Sequence, residues 1–165
     1  MEQEKKFKWG KLYSVHHLAM DRQHKYLFGL VNQFNELRAL PVEEIKPLLP
    51  AFLAELYTYT EQHFREEEKI LDALELPSDC LGRHKDKHRT LLAQLGDLAK
   101  ELAANYTPQA GQKTADFLRH WLMDHILATD KRYGEVLVSM QKGENTADII
   151  CNETVNSVAE LFSMN

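Results

Sequence analysis

Histidine is the residue type in this chain whose placement most strongly suggests chemistry. His63 is followed four residues later by Glu67 in HFREEEK, and His84 is followed four residues later by His88 in HKDKH. A spacing of four places two side chains on the same face of an α-helix. Imidazole and carboxylate groups paired in this way are suited to holding a transition metal. These stretches therefore favour metal binding.

A further stretch, HILATD, separates His125 and Asp130 by five residues. Five residues correspond to about 140° of rotation in an ideal α-helix, which takes the two side chains off a common face. The pair serves one site only if the helix widens locally, as in a π-bulge, or if the aspartate reaches sideways. The sequence leaves both routes open.

Apolar residues recur at helical spacing nearly throughout the chain, which predicts four long helices. They run over about residues 18–38, from the forties to about 74, over about 79–104, and from about Thr107-Pro108 to about Lys142-Gly143. Pro47 and Pro50 fit the opening of the second helix better than its interior. Short connections between long helices predict an all-α, antiparallel up-down four-helix bundle.

The tail of the chain carries a separate helical pattern. In residues 144–165, apolar side chains recur at Cys151, Val155, Val158 and Phe162. This spacing predicts an extra C-terminal helix that packs on the bundle or on another chain. The predicted organisation is therefore a domain over residues 1–143, beginning with an N-terminal arm, and a C-terminal helical extension over residues 144–165.

Five histidines fall on the inward faces of the four predicted helices. They are His24, His63, His84, His88 and His125. A buried neutral histidine requires its own hydrogen-bond partner, so five separate core histidines would be costly. One shared metal site satisfies all five. Glu67 shares the inward face of His63, whereas Glu66 and Glu68 are rotated by about 100° to either side and are expected to be solvated or at the boundary.

Composition excludes several other functions. The net charge of -5 and the absence of a basic stripe argue against nucleic acid as a partner. No apolar run approaches the ~18 residues of a membrane span, and no secretory signal is evident, so a cytoplasmic location is expected. Cys80 and Cys151 lie far apart and form no CxxC, which predicts free thiols in a reducing compartment. No catalytic triad, phosphate loop or redox dithiol occurs.

Four stretches occur in the order DRQHKYL, YTEQHFREEEKIL, HKDKH and WLMDHILATDKRY. Together they resemble the hemerythrin family, particularly the bacterial hemerythrins, and FKWGKLYSV resembles the family's N-terminal arm. The resemblance covers about residues 7–140 and implies a non-haem diiron site with an oxo or hydroxo bridge. It implies that His84, His88 and His125 hold one iron, that His24 and His63 hold the other, and that Glu67 and Asp130 bridge both.

The resemblance also implies reversible binding of dioxygen at the two-histidine iron, for storage, scavenging or delivery to an oxygen-using enzyme. A histidine-rich set with few carboxylates favours a carrier over an oxidising enzyme, and zinc is disfavoured because its structural sites are usually thiolate-rich and four-coordinate. Two alternatives stay open. One is a diiron enzyme that acts on peroxide or nitric oxide. The other is an oxygen or redox sensor whose metal state moves the C-terminal segment.

The chain departs from the family pattern at His16 and His17, where a glycine and an aliphatic residue are usual. His17 lies seven residues before His24. If the helix extends that far, the two share nearly the same face but lie about 10 Å apart along the axis. That separation is too large for ligation, yet it suits the lining of an entrance. Our hypothesis is that His17 is a titratable gate whose proton promotes oxidative loss of bound dioxygen.

Overall fold

The computed structural model describes residues 6–74 and 76–143, which form an all-α helical bundle. Its helices are α1 (Leu18–Leu37), α2 (Val42–Asp72), α3 (Ser78–Ala104) and α4 (Pro108–His125). A π-helical segment, Ile126–Asp130, joins α4 without a break to α5 (Lys131–Gln141). The fold class predicted from the sequence is thus confirmed, with α4 and α5 together forming the fourth long helix. The predicted C-terminal helix lies outside the described residues.

The helices pack around a closed ring, in which α1 contacts α2 and α4, and α3 contacts α2 and α4. The seam between α3 and α4 is the least extensive of these contacts. Within the part of the chain that the structure describes, no helix is long and apolar enough to cross a membrane.

The start of α4 illustrates how local sequence sets a helix boundary. Thr107 is the N-cap residue, and its hydroxyl oxygen accepts a hydrogen bond from the Ala110 backbone N–H at 3.1 Å. Pro108 occupies the first helical position, where its missing N–H costs nothing because that group has no intrahelical partner. This boundary matches the one predicted from the sequence.

The start of α2 differs from the prediction. The helix begins at Val42, directly after Pro41, so Pro47 and Pro50 lie inside it rather than at its opening. Each of these prolines removes one backbone hydrogen bond from the helix. Ile45 and Leu49 in the same turns are both buried at 1% exposure. Their burial in the core stabilises the helix despite its prolines.

The apolar core is divided into a large and a small cluster. Leu56 and Phe64 of α2 belong to the large cluster, whereas Leu71, further along the same helix, packs with Tyr133 and Val136 in the small one. The buried polar residues of α2 therefore lie between two dry regions, where any unpaired polar group is costly.

The N-terminal arm is fastened to the bundle at both of its ends. The Phe7 backbone N–H donates to Asn32 Oδ1 at 2.8 Å, and Asn32 Nδ2 donates to the Phe7 carbonyl at 2.7 Å. At the other end, Val15 lies against Gly134 of α5. A Cβ atom on Gly134 would fall 2.3 Å from the Val15 carbonyl oxygen, so this approach requires glycine.

Cys80 corrects the expectation of free thiols. It is disulfide-bonded, and the described residues contain no free cysteine. Its side chain is buried in the small cluster beside Val136 of α5. Sequence separation misled the prediction, because α5 brings the end of the described chain back to the start of α3. The inference of a reducing compartment from unpaired thiols therefore does not hold for Cys80; Cys151 lies outside the described residues.

Candidate metal centre

The structure brings all seven predicted ligand residues into one buried polar layer. Each of them is exposed by no more than 4%. α1 supplies His24, α2 supplies His63 and Glu67, α3 supplies His84 and His88, α4 supplies His125, and the π-helical segment supplies Asp130. Two groups of four of these side chains have ligand atoms mutually within 4.8 Å, a separation short enough for a metal ion.

The π-helical segment solves the spacing problem of HILATD. Ile126–Asp130 is wound as a π-helix, so the turn is wider than in α4 and α5 on either side. His125 and Asp130 consequently face the same interior, with 3.3 Å between His125 Nε2 and Asp130 Oδ1. Of the two routes that the sequence left open, local widening is the one observed. Such bulges are frequent at functional sites.

Three histidines gather around a single carboxylate oxygen. Glu67 Oε2 lies 3.5 Å from His84 Nε2 and 3.3 Å from His88 Nε2. The same oxygen lies 3.9 Å from His125 Nε2. We call His84, His88 and His125 the three-histidine half of the centre.

Asp130 connects this half to the remaining histidines. Its Oδ1 faces His125, whereas its Oδ2 lies 3.3 Å from His24 Nε2. The rings of His24 and His63 are neighbours, with centroids 4.9 Å apart. We call these two the two-histidine half. A carboxylate with one oxygen toward each half has the arrangement required to bridge two metal ions.

The atoms that face this interior are not satisfied by the protein. Within the described part of the chain, the following buried atoms have no hydrogen-bond partner: Nε2 of His24, His63, His84, His88 and His125, Oε2 of Glu67, and both carboxylate oxygens of Asp130. Each buried unsatisfied group costs about 1–3 kcal/mol. A cluster of them, rich in imidazole, fits iron or a similar first-row transition metal.

Burial lowers the pKa of three of the histidines and so favours their neutral form. It lowers the pKa of His63 to about 3, and it lowers the pKa of His24 and, further, that of His125. Burial and the nearby Glu67 carboxylate raise the pKa of Asp130 well above its usual range. Burial also raises the pKa of Glu67, but the contacts from His84 and His88 outweigh it, and this pKa lies well below its usual range. Neutral imidazoles and an ionised carboxylate are the forms that bind metals.

Glu66 and Glu68 are half-buried, which confirms the expectation that they lie at the boundary, and each also supports a ligand histidine. His88 Nδ1 donates to Glu68 Oε1 at 2.8 Å. His63 Nδ1 donates to Gln23 Oε1 at 2.8 Å, and Gln23 Nε2 donates in turn to Glu66. Both rings thus present Nε2 to the interior, because a hydrogen bond at the other ring nitrogen fixes the orientation of a metal-binding histidine.

Sequence reasoning missed these three supporting residues for a geometrical reason. Gln23 reaches His63 from another helix, and Glu68 of α2 reaches His88 of α3, so no spacing within one helix reports either contact. The one available signal was the run of glutamates itself. In such a run, the neighbours of an inward carboxylate lie at the flanks, where they reach adjacent helices.

Aromatic rings enclose the three-histidine half. The Phe64 ring stacks on His88 at a centroid distance of 3.8 Å, and the Tyr133 ring lies edge-on to His84 at 4.7 Å. Burial, together with the Glu67 and Asp130 carboxylates, raises the pKa of Tyr133 to about 12. Tyr133 therefore stays a neutral phenol. Trp121 is buried beside His125.

The other histidines lie outside this cluster. His120 is exposed. His16 is exposed and has a positive φ of 57°, which is rare for a residue with a side chain. His17 is half-buried and is the N-cap of α1, where its Nδ1 accepts a hydrogen bond from the Met20 backbone N–H at 3.4 Å. The lead-in does not continue the helix past His17.

Comparison with known proteins gives an independent result. The family model described as Hemerythrin HHE cation binding domain matches residues 17–137. The chain is 33% identical to Bacteriohemerythrin of Methylococcus capsulatus over 71% of this chain and 85% of that protein. It is 30% identical to Myohemerythrin-1 of Phascolopsis gouldii over 76% of this chain and 89% of that protein.

Proposed function

This chain belongs to the hemerythrin family of diiron, oxygen-binding proteins, and on that premise we propose that it binds dioxygen reversibly at its own pair of iron ions. In this proposal the protein stores, scavenges or delivers dioxygen to an oxygen-using enzyme, and does not turn it over. The observation that carries the proposal is the set of unsatisfied imidazole and carboxylate atoms converging on one buried interior.

The proposed ligands follow from the two halves of the centre. His84, His88 and His125 hold one iron, and His24 and His63 hold the other. Glu67 and Asp130 bridge the two. The separate orientation of the two Asp130 oxygens, toward His125 and toward His24, supports the bridging role.

Counting coordination positions supports dioxygen binding. With about six positions for each ion, an iron pair has about twelve. The five histidines would fill five of these positions and two shared carboxylates about four, which would leave room for a bridging oxygen and, at the two-histidine half, for about one small ligand. When bound, the reduced iron pair supplies the open coordination position and the electrons that reversible dioxygen binding requires.

The surrounding residues favour a carrier over an oxidase. Leu122 and Ile126 are fully buried next to the ligand residues, and Phe64 covers His88. These side chains exclude water from the interior. The exclusion of water removes the most abundant source of protons for the irreversible reduction of dioxygen.

The test is to reduce the iron-loaded protein without oxygen, add oxygen, and then remove it, while recording the visible absorption spectrum. Reversible appearance and loss of an oxygen-dependent band is the expected result. The Glu67→Ala variant, which lacks a proposed bridge, serves as the control and should show no band. Irreversible oxidation with turnover of peroxide or nitric oxide would overturn the carrier in favour of an enzyme.

A further inference from the structure

A groove runs between α3 and α4, along the seam where the bundle is least closed. Its volume is about 610 Å³. Half-buried Leu91, Phe117 and Ala128 give it an apolar floor, while charged side chains such as Lys87 and Asp124 lie at the rim. An apolar floor with a polar rim is the usual form of a groove that receives an amphipathic helix.

The groove shares its inner wall with the metal centre. Trp121, His125 and Thr129 line it, and all three are buried. Its volume falls within the range of about 300–1,000 Å³ typical of sites for much larger ligands than dioxygen. Dioxygen therefore does not account for the groove, and an occupant would shield the side of the proposed iron site.

The disulfide at Cys80 indicates which segment of the chain is held close enough to occupy the groove. The chain contains two cysteines, so the partner available within the chain is Cys151. Cys80 packs beside Val136, and α5 runs from Val136 to its end at Gln141 over about 8 Å. The eight residues from Gly143 to Cys151 extend up to about 28 Å, which is ample for the return.

The segment is long enough to reach the far end of the groove. Cys80 lies before the groove, whose α3 wall runs from Asp86 to Leu91. Leu91 lies eleven residues after Cys80, and Phe162 likewise lies eleven residues after Cys151. As a helix, either interval covers about 16 Å. Val155, Val158 and Phe162 follow Cys151 on one face, whereas Glu153 and Glu160 fall on the opposite face.

We propose that residues 144–165 form an amphipathic helix that lies in the groove between α3 and α4, tethered at its start by a disulfide between Cys80 and Cys151. The helix runs parallel to α3, with Phe162 near Leu91 and Phe117. It thereby covers the wall formed by Trp121 and His125. The docking itself does not depend on dioxygen binding; only the shielding of the iron site rests on the proposed function.

Site-specific photocrosslinking in the full-length protein tests the docking. The crosslinker p-benzoylphenylalanine replaces Phe162 in one variant and Glu160, on the opposite face, in the matched control. After irradiation, peptide mass spectrometry should find crosslinks from position 162 to residues 86–91 or 117–129 of the same chain, and none from position 160. Crosslinks to other surfaces of the chain, or to a second copy in a covalent dimer, overturn the proposal.

Two further measurements guard against a local disturbance by the crosslinker. Non-reducing peptide mapping should recover Cys80 joined to Cys151 within one chain, and a mixed-isotope sample should show no joining between chains. Phe162→Asp should increase the fluorescence of 8-anilinonaphthalene-1-sulfonate by opening the groove, whereas Glu160→Ala should not. Equal dye fluorescence in both variants, with unchanged iron content, would show that the segment does not cover the groove.

Discussion

The two halves of the metal centre are supported in different ways. In the three-histidine half, His88 donates to the carboxylate of Glu68, whereas in the two-histidine half, His63 donates to the amide oxygen of Gln23. An ionised acceptor increases the basicity of an imidazole ligand more than a neutral amide does. The better-supported half is thus the one proposed to be coordinatively complete. The half with weaker support is the one proposed to bind dioxygen.

Three consecutive glutamates of α2 contact different parts of the metal centre. Glu67 faces the interior between both halves, Glu68 supports the three-histidine half, and Glu66 supports the two-histidine half through Gln23. Removal of the central glutamate should therefore affect both halves, whereas removal of a flanking glutamate should affect one.

The largest expected effect is that of Glu67→Ala. Loss of a bridge from both metals should remove nearly all bound iron, and the variant should also melt at a lower temperature, because bound metal stabilises the folded state. Elemental analysis and thermal unfolding measure both changes. Glu66→Ala and Glu68→Ala are the matched controls and should retain most of their iron. Equal retention in all three variants would contradict the central role of Glu67, and one zinc per chain in the parent would contradict the diiron assignment.

Acid should destabilise the metal-free protein. The pKa values of His24, His63 and His125 are lowered by burial, so below about pH 6.5 the unfolded chain binds protons that the folded protein does not. The free energy of unfolding therefore falls as pH falls. Asp130 has a raised pKa and opposes this effect, because its folded form retains a proton that the unfolded chain has lost.

His63, whose pKa in the folded protein is about 3, alone contributes a loss of up to about 1.4 kcal/mol per pH unit between about pH 6 and 5. Denaturant titrations of the chelator-treated protein across this range measure the slope. His63→Leu, which removes one of the buried histidines, should flatten it. A free energy of unfolding independent of pH would show that these histidines are not held neutral by burial.

Much of the centre could be predicted from the sequence, because the pattern within each helix reports which side chains face inward. His63 with Glu67, and His84 with His88, required only the helical period. His125 and Asp130 can share one site only if the helix departs from that period. The sequence showed this requirement but did not show that the helix meets it. The structure supplies the π-helical segment that meets this condition.

Features that depend on contacts between helices were not predicted. The support of His63 by Gln23 joins α1 to α2, and Cys80 of α3 packs beside Val136 of α5, far from it in the sequence. The prolines of α2 were misplaced for a related reason. Local propensity disfavours them inside a helix, but the burial of Ile45 and Leu49 decides where the helix begins.

Substitution of the residues that accept hydrogen bonds from His88 and His63 should measure the difference in support between the two halves. Glu68→Gln keeps a hydrogen-bond acceptor for His88 but removes its charge, and Gln23→Leu removes the acceptor of His63 altogether. Changes of this kind typically weaken metal binding by about 10–100-fold. We expect Gln23→Leu to lie at the upper end of this range and Glu68→Gln at the lower end.

Iron affinity by chelator competition and the midpoint potential by redox titration measure these effects. Loss of the Glu68 charge should also raise the midpoint potential, because it disfavours the more positive oxidised iron. A purely structural role would change the affinity without changing the potential. Glu68→Leu, which lacks both charge and acceptor, should lose more iron than Glu68→Gln.

The smallest expected effect concerns His17, at the entrance to α1. As an N-cap it should stabilise the helix by about 1 kcal/mol, and as the hypothesised gate it should also deliver a proton toward the two-histidine half. His17→Asn keeps a capping side chain but removes the titratable group, whereas His17→Leu removes both. Both variants should retain iron and show slower, less pH-dependent oxidation of the oxygen-bound protein from about pH 6 to 8. Only His17→Leu should lose thermal stability. Parental oxidation rates in both variants would leave His17 as a helix cap alone, and loss of iron from either would show that it lies closer to the metals than the end of α1 allows.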